Sequence, residues 1–365
     1  MKKSLKLLTA CMIFAAMTAM FTLTAFAMDF TISPEFPENQ RDMDNGFYDL
    51  MVYPGQVQDI YLTVRNERSH DIVVRIERIN ATSGSGGHIN YGNRFAQMDE
   101  TLLHSFEDMA VLQNEYETIA ADSSIRVPIR LNIPAEPFDG AILGSIRVTR
   151  EITPEEIAAS NDQGGVFLNQ FASFTAVRLV QSEDFANLTP DFLLREVSVE
   201  TANRRASITA NIRNPVPLLV RGASITGTVH NLENNQLYFE QSFSSAEFAP
   251  SSIFPLRMVD DDGYGLEAGD YRVAIAIEFE GQTWNFEEYV TIEQSLADEI
   301  NKSAVNLTGK ERTFSFWDTI PTWLLIVISV IVILALVLII SIIRKQKSID
   351  INALLSEYEK QKASG

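Results

Sequence analysis

The sequence predicts an all-β protein, two immunoglobulin-like β-sandwich domains in tandem, followed by one C-terminal transmembrane α-helix. Three observations carry this. Apolar and polar residues alternate with a period of two through most of residues 28–294, and Gly, Pro, Asn and Asp clusters separate the alternating stretches. No helix-rich alternative competes in the second domain. Residues 323–343 then form an apolar run broken only by Ser329 and Ser341. As a helix it would span roughly 31 Å, against a hydrocarbon core of about 30 Å.

The two ends agree on topology. Lys2, Lys3 and Lys6 precede an apolar stretch that closes on Ala25-Phe26-Ala27, so residues 1–27 read as a secretory signal peptide with a mature start near Met28. Leu8-Thr9-Ala10-Cys11 also fits a lipoprotein cleavage box, but too few residues separate Lys6 from Cys11 for an apolar region of about 7 to 15. Trp317 and Trp323 lie at one end of the run and Arg344, Lys345 and Lys347 at the other. By the positive-inside rule, residues 344–365 are a cytoplasmic basic tail. The expected location is the cell membrane, single-pass type I, with the β domains outside.

Composition limits the chemistry. Cys11 is the only cysteine, so the exported chain holds neither disulfides nor thiolate metal sites, and each domain must rest on its own core. The formal net charge is −19, and most of the lysines lie in the signal segment and the tail. A field of that sign repels nucleic acid and polyanionic polymers beyond the screening length of about 8 Å. Outside the membrane the positive charge is nearly all arginine, which suits bidentate carboxylate contacts, including those of cell-wall peptide stems. Codon bias and strand-surface usage produce the same composition.

The first domain is expected over residues 28–184. Phe30 to Ser33 is a short strand, and a turn at Asp44-Asn45-Gly46 leads into a second at Phe47 to Val52. Ile60, Leu62 and Val64 alternate with polar residues, as do Ile72, Val74 and Ile76 across a polar hairpin connection. Ser83-Gly84-Ser85-Gly86-Gly87 reads as a plain flexible loop, without the Gly-Lys-Ser/Thr ending of a phosphate loop. Met98 to Leu112 is open between helical turn and loop. Ile125 to Ile133 is the clearest strand, placed at a sheet edge because Pro128 lacks a donor. Strands at Ala141 to Arg150 and Phe171 to Gln181 flank a short helix, for which Thr153-Pro154-Glu155-Glu156 supplies a capping box.

The second domain is expected over residues 185–294, after a linker at Phe185 to Pro190. Its strands fall near Phe192 to Glu200, Ser207 to Asn214, Ala223 to Asn231, Gln236 to Phe243, Ile253 to Met258, Tyr271 to Phe279 and Thr283 to Ile292. Seven strands with turns between them point to the immunoglobulin-like sandwich. Residues 295–322 read as a polar stalk, helical at first. In the tail, Ile351, Leu354, Leu355 and Tyr358 have the spacing of a small amphipathic helix.

No residue pattern points to catalysis. His70, His88, His104 and His230 are scattered, and neither a His-Glu-x-x-His pattern nor a nucleophile elbow occurs. No catalytic, cofactor-binding or metal residue is therefore assigned, and the protein is read as a non-enzyme. A wall hydrolase, the third alternative, has no positioned acid and base. Asp260-Asp261-Asp262-Gly263 is read as a solvated turn with calcium as the open alternative. Trp284 is expected in the core. Asn80, Asn187, Asn301 and Asn306 head glycosylation sequons that matter only in a eukaryotic secretory pathway.

Several stretches together resemble a known family. They are Pro37-Glu38-Asn39-Gln40, Phe47-Tyr48-Asp49-Leu50 with Pro54-Gly55-Gln56, and Phe138-Asp139-Gly140-Ala141-Ile142-Leu143-Gly144 in the first domain. In the second they are Arg213-Asn214-Pro215-Val216-Pro217, Leu266-Glu267-Ala268-Gly269-Asp270-Tyr271 and Thr283-Trp284-Asn285-Phe286. As a set they are similar to the membrane-anchored WxL-interacting proteins of Gram-positive bacteria. The resemblance implies that the first domain binds peptidoglycan, that the second is the module described as host-binding, and that the partners are WxL-domain surface proteins. Host extracellular-matrix proteins are the alternative partner, with the chain acting as an adhesin through its second domain. Neither cofactor nor nucleic acid is implied.

Overall fold

The computed structural model describes residues 29–154, 156–158 and 170–304. The signal peptide, most of the polar stalk, the apolar run at 323–343 and the tail with its amphipathic spacing lie outside them. Among the described residues no helix is long and apolar enough to cross a membrane.

Two sheets enclose the first core. One has the order β1-β3-β9-β7, with β1 Phe30–Glu35, β3 Val57–Asn66, β9 Ser124–Asn132 and β7 Ala110–Leu112. The other has the order β2-β11-β10-β4-β8, with β2 Tyr48–Met51, β11 Ala172–Val180, β10 Ala141–Arg150, β4 Ile72–Asn80 and β8 Tyr116–Ile119. The period of two puts Ile60, Leu62, Val64, Val127 and Ile129 of the first sheet against Val74, Ile76, Ile146, Val148 and Val177 of the second, all buried. Across Met98 to Leu112 a single helical turn, α1 Phe106–Met109, buries Phe106 and passes directly into β7. The capping box also forms: Glu156 N–H donates to Thr153 Oγ1, and Thr153 N–H donates to a Glu156 carboxylate oxygen.

The strand holding Pro128 is not an edge strand, contrary to expectation. β9 lies between β3 and β7, but β7 reaches only Ile129 to Leu131, so the ladder stops beside the proline, where no donor is available. Pro34 and Pro255 sit in strands that do border their sheets.

The second core lies between β12-β13-β16 and β15-β14-β17-β18. These strands are β12 Leu193–Ala202, β13 Arg205–Asn214, β14 Val220–Asn231, β15 Leu237–Phe248, β16 Ser252–Val259, β17 Gly269–Phe279 and β18 Gln282–Ile292. Ile208, Ala210, Ile212, Phe254 and Leu256 face Ile225, Val229, Val273, Ile275 and Ile277. Trp284 is only partly buried; it closes the border of this core, edge-on to Phe192 at 4.9 Å between ring centroids, and donates its indole N–H to Asp191 Oδ1.

The predicted stalk needs correction as well. Its first residues form α2 Gln294–Ser303, which packs on the second sandwich through buried Ala297 and Ile300. Three-residue spacing places both on one face. Asn301 completes the attachment, accepting from Leu266 N–H at 2.7 Å and donating to Leu266 C=O at 2.8 Å. Asn301→Ala should cost about 1–2 kcal/mol and speed amide exchange across residues 294–303; unchanged exchange there would contradict the docking.

Two sequon asparagines are unavailable for modification in the fold. Asn80 is buried and donates to Ser105 Oγ, and Asn301 is held as described.

Candidate functional site

The loop read as plain and flexible is where the two sandwiches join. Ser83 belongs to β5 Thr82–Ser83, which pairs with β6 Ile89–Asn90, and its side chain is buried against the second sandwich. Ser252 Oγ donates to Ala249 C=O at 2.8 Å. A hydroxyl has one proton, so the 2.7 Å contact between Ser83 Oγ and Ser252 Oγ is donated by Ser83. Ser83 Oγ in turn accepts from Ala249 N–H at 2.9 Å. Nearby, Glu247 N–H donates to Gly87 C=O, and Ile89 N–H donates to the Glu247 carboxylate.

Two of the family-like stretches meet on the other side of this junction. Ala141 N–H donates to Pro217 C=O at 2.8 Å, with Gly140 in the left-handed region at φ +76°. Arg213 Nε donates to Asp99 Oδ2 at 2.7 Å and its Nη2 to Glu100 Oε1 at 2.6 Å. The Asp99 side chain is fully buried. Burial pushes its carboxyl up, but hydrogen bonds from the Thr101 hydroxyl, the Thr101 backbone and Arg213 outweigh this and hold it below the usual aspartate value. Beside the pair opens an apolar groove of about 580 Å³, with Leu102, Leu103, His104 and Phe138 on one side and Pro215, Pro217 and Pro250 on the other.

The remaining family-like stretches are also architectural. Gln40 accepts from Asp49 N–H and donates to Asp42 C=O and Phe47 C=O, and buried Tyr48 donates to Tyr61 C=O. Tyr238 donates to the Glu267 carboxylate, and Tyr271 donates to Glu267 C=O. At Gly144 a Cβ would overlap the buried Phe106 ring.

A polar cleft of about 410 Å³ lies on the outer face of the five-stranded sheet. Cross-strand register sets its floor: Tyr116, Arg75 and Thr149 form one row, and Glu77, Arg147 and Phe174 the next. Residues 91–95 border it, fixed where Ser145 Oγ donates to Tyr91 C=O and where the Tyr91 and Phe174 rings stack at 6.1 Å. Three arginines converge on one carboxylate, Glu77, with Arg147 at 2.5 Å, Arg94 at 2.9 Å and Arg75 at 3.3 Å. Burial pushes the Glu77 carboxyl up, but hydrogen bonds from Arg94 and Arg147 and the charges of Arg75 and Arg147 outweigh it, so its pKa lies below the usual glutamate value.

The second sandwich leaves a different surface open. Thr226, Ala276 and Asn285 form one row across β14, β17 and β18, and Thr228, Ala274 and Glu287 the next. These are short side chains for the most part, so the face is flat.

The residue types weighed for chemistry stay apart. Asp260 is buried, not solvated, and accepts from Gly265 N–H at 2.6 Å, while Asp261 pairs with Arg205. Among the described residues no three His, Cys, Asp or Glu side chains gather to hold a metal. The sequence reading missed Ser83, Asp99, Arg75, Arg147 and Thr149. Polar residues two apart in β4 and β10 hinted at a shared outward face, but register alone brings the two strands' arginines together.

The WxL Interacting Protein peptidoglycan binding domain model matches residues 30–150, and the WxL Interacting Protein host binding domain model matches residues 162–302. No curated protein sequence matches the chain. Among solved structures, the chain is similar to the YadV chaperone at 11% identity, covering 72% of this chain and 100% of that one, with a TM-score of 0.28. It is also similar to the E. coli chaperone DraB at 14% identity, 71% and 96% coverage and a TM-score of 0.27, and to the Pseudomonas aeruginosa CupB2 chaperone at 13% identity, 66% and 96% coverage and 0.27. At such scores these likenesses carry no argument.

Proposed function

Since this chain belongs to the WxL Interacting Protein family, we propose that it is a non-enzymatic, membrane-anchored adaptor at the Gram-positive cell surface. It binds peptidoglycan through the first sandwich and holds a secreted WxL protein beside the wall. The observation that carries this is the buried polar junction, which couples two dissimilar outward surfaces in one body, an arginine-lined cleft and a flat sheet face. Two weak contacts held at a fixed separation act at high effective concentration. A membrane span at 323–343, which the sequence predicts, would add confinement, since a tethered chain searches only the layer of wall next to the membrane.

The test is retention of the full chain on purified sacculi, with and without a secreted WxL protein. The chain is expected to sediment with sacculi alone, and the WxL protein to be retained more when the chain is present. Retention in neither case would defeat the adaptor. The description of the second matched domain favours one other reading, an adhesin for host matrix proteins. Binding to immobilised matrix protein without retention on sacculi would replace the first reading with that one.

A further inference from the structure

We propose that the cleft on the outer face of the first sandwich is a carboxylate-binding subsite that takes the free C-terminal carboxylate of a wall peptide stem. The proposal rests on the peptidoglycan-binding reading and deepens it.

The charge in the cleft is unbalanced. Elsewhere on the first sandwich a carboxylate takes one or two arginines, as Glu35 takes Arg126 and Asp49 takes Arg41 and Arg178. Here Arg75, Arg94 and Arg147 share Glu77, whose side chain is only 11% exposed. On the floor itself three guanidiniums meet one carboxylate; Glu151 lies on the rim, and Glu107, Asp108 and Glu115 stand in the adjoining cleft with Arg78, so the positive excess is local to the floor. Each arginine has five N–H donors in a fixed fork; Arg94 and Arg147 each donate through Nη1 to Glu77, and Arg75 approaches it at 3.3 Å. Donors therefore remain for a second anion.

Independent of charge, the floor carries polar atoms that lack partners. Thr149 is 96% buried, lines the cleft, and its Oγ1 has no hydrogen-bond partner among the described residues; Arg75 Nε is in the same condition. Cross-strand register puts these two residues side by side. Other buried side-chain atoms, such as Thr175 Oγ1 and Arg178 Nε, share this condition, but these two adjoin each other in the floor of the cleft, where one ligand oxygen would satisfy both. An apolar lip completes the site: Phe95 is 83% exposed, and Arg94 lies over its ring at 4.7 Å. A carboxylate beside a small aliphatic group, as at the end of an alanine-terminated peptide, matches forked donors, one hydroxyl and an aromatic face. A phosphate of an anionic wall polymer would use the same donors but gain nothing from Phe95.

Titration of the full chain in detergent with diacetyl-L-lysyl-D-alanyl-D-alanine tests this, using the C-terminal amide of the same peptide and inorganic phosphate as controls. The acid is expected to bind about tenfold or more tightly than the amide, and phosphate to compete poorly. Thr149→Val should weaken the acid about tenfold, leave the amide unchanged and not lower the melting temperature, because the lost hydroxyl bonds nothing in the free protein. Arg147→Gln should remove the preference for acid over amide. Equal binding of acid and amide, full competition by phosphate, or unchanged acid affinity in Thr149→Val would overturn the assignment. Sacculus retention separates the two levels. A wild-type chain that sediments with sacculi but ignores the carboxylate defeats the subsite alone, whereas failure to sediment defeats the wall-binding reading beneath it.

Discussion

Gly140→Ala is expected to uncouple the two sandwiches, so that thermal unfolding passes through two transitions where the native protein should show one. Gly140 has φ +76°, which costs an L-residue roughly 1–2 kcal/mol. The larger effect is steric: a Cβ at this position would overlap the Pro217 carbonyl, the same group that accepts the Ala141 N–H across the junction. Both partners are backbone, so no side-chain rotation relieves the overlap and the domains must separate locally. Gly222 is the control, because it has a similar φ of +86° but no neighbour that a Cβ would meet. Gly222→Ala should therefore lower the melting temperature slightly and keep one transition. A single, unshifted transition in Gly140→Ala, read by calorimetry, would show that the junction does not couple the domains.

Arg213→Ala should destabilise the protein by about 2–4 kcal/mol, more than an ordinary surface ion pair, since it strands a carboxylate that solvent cannot reach. The neighbouring Thr101 hydrogen bonds keep the loss below that of a wholly unpaired buried charge. The same pair sets a pH dependence. Because native Asp99 is held below its ordinary value of 3.8, the unfolded chain takes up a proton first as the solution is acidified. The stabilisation from this group is thus complete above the unfolded value and disappears as pH falls through the lower native one. Urea midpoints between pH 6 and pH 2.5 should fall less steeply for Asp99→Asn than for the native protein. Parallel curves would remove Asp99 from the account.

How far the sequence could be read differs between the cores and the sites. The alternation of Ile208, Ala210 and Ile212, or of Val273, Ile275 and Ile277, identifies buried faces without any knowledge of what they face. The seven strands of the second sandwich are legible for that reason, although β15 runs on past Phe243 to Phe248. Residues with no period were misread. Ser83 sits next to a run of glycines, and nothing local distinguishes a loop that stays in solvent from one whose first serine is buried against another domain. The Gln294–Ser303 helix carries so few apolar residues that it resembled a stalk, although Ala297 and Ile300 suffice to dock it. The stretches that carry the family resemblance proved informative about architecture, as Gly140 with Pro217 and Asn301 with Leu266 illustrate, and silent about ligands.

By itself, the sequence determined that the chain is β-structured, free of disulfides, acidic and built on two cores, because each of these follows from composition or from a pattern repeated along neighbouring residues. Tertiary structure alone decided that Asp99 would face Arg213 from 114 residues away and that Arg75, Arg94 and Arg147 would crowd one glutamate. Pairings of that kind depend on strand register and on how one domain seats against the other. Those are set by the sum of many weak contacts, none of which leaves a mark at the positions it brings together.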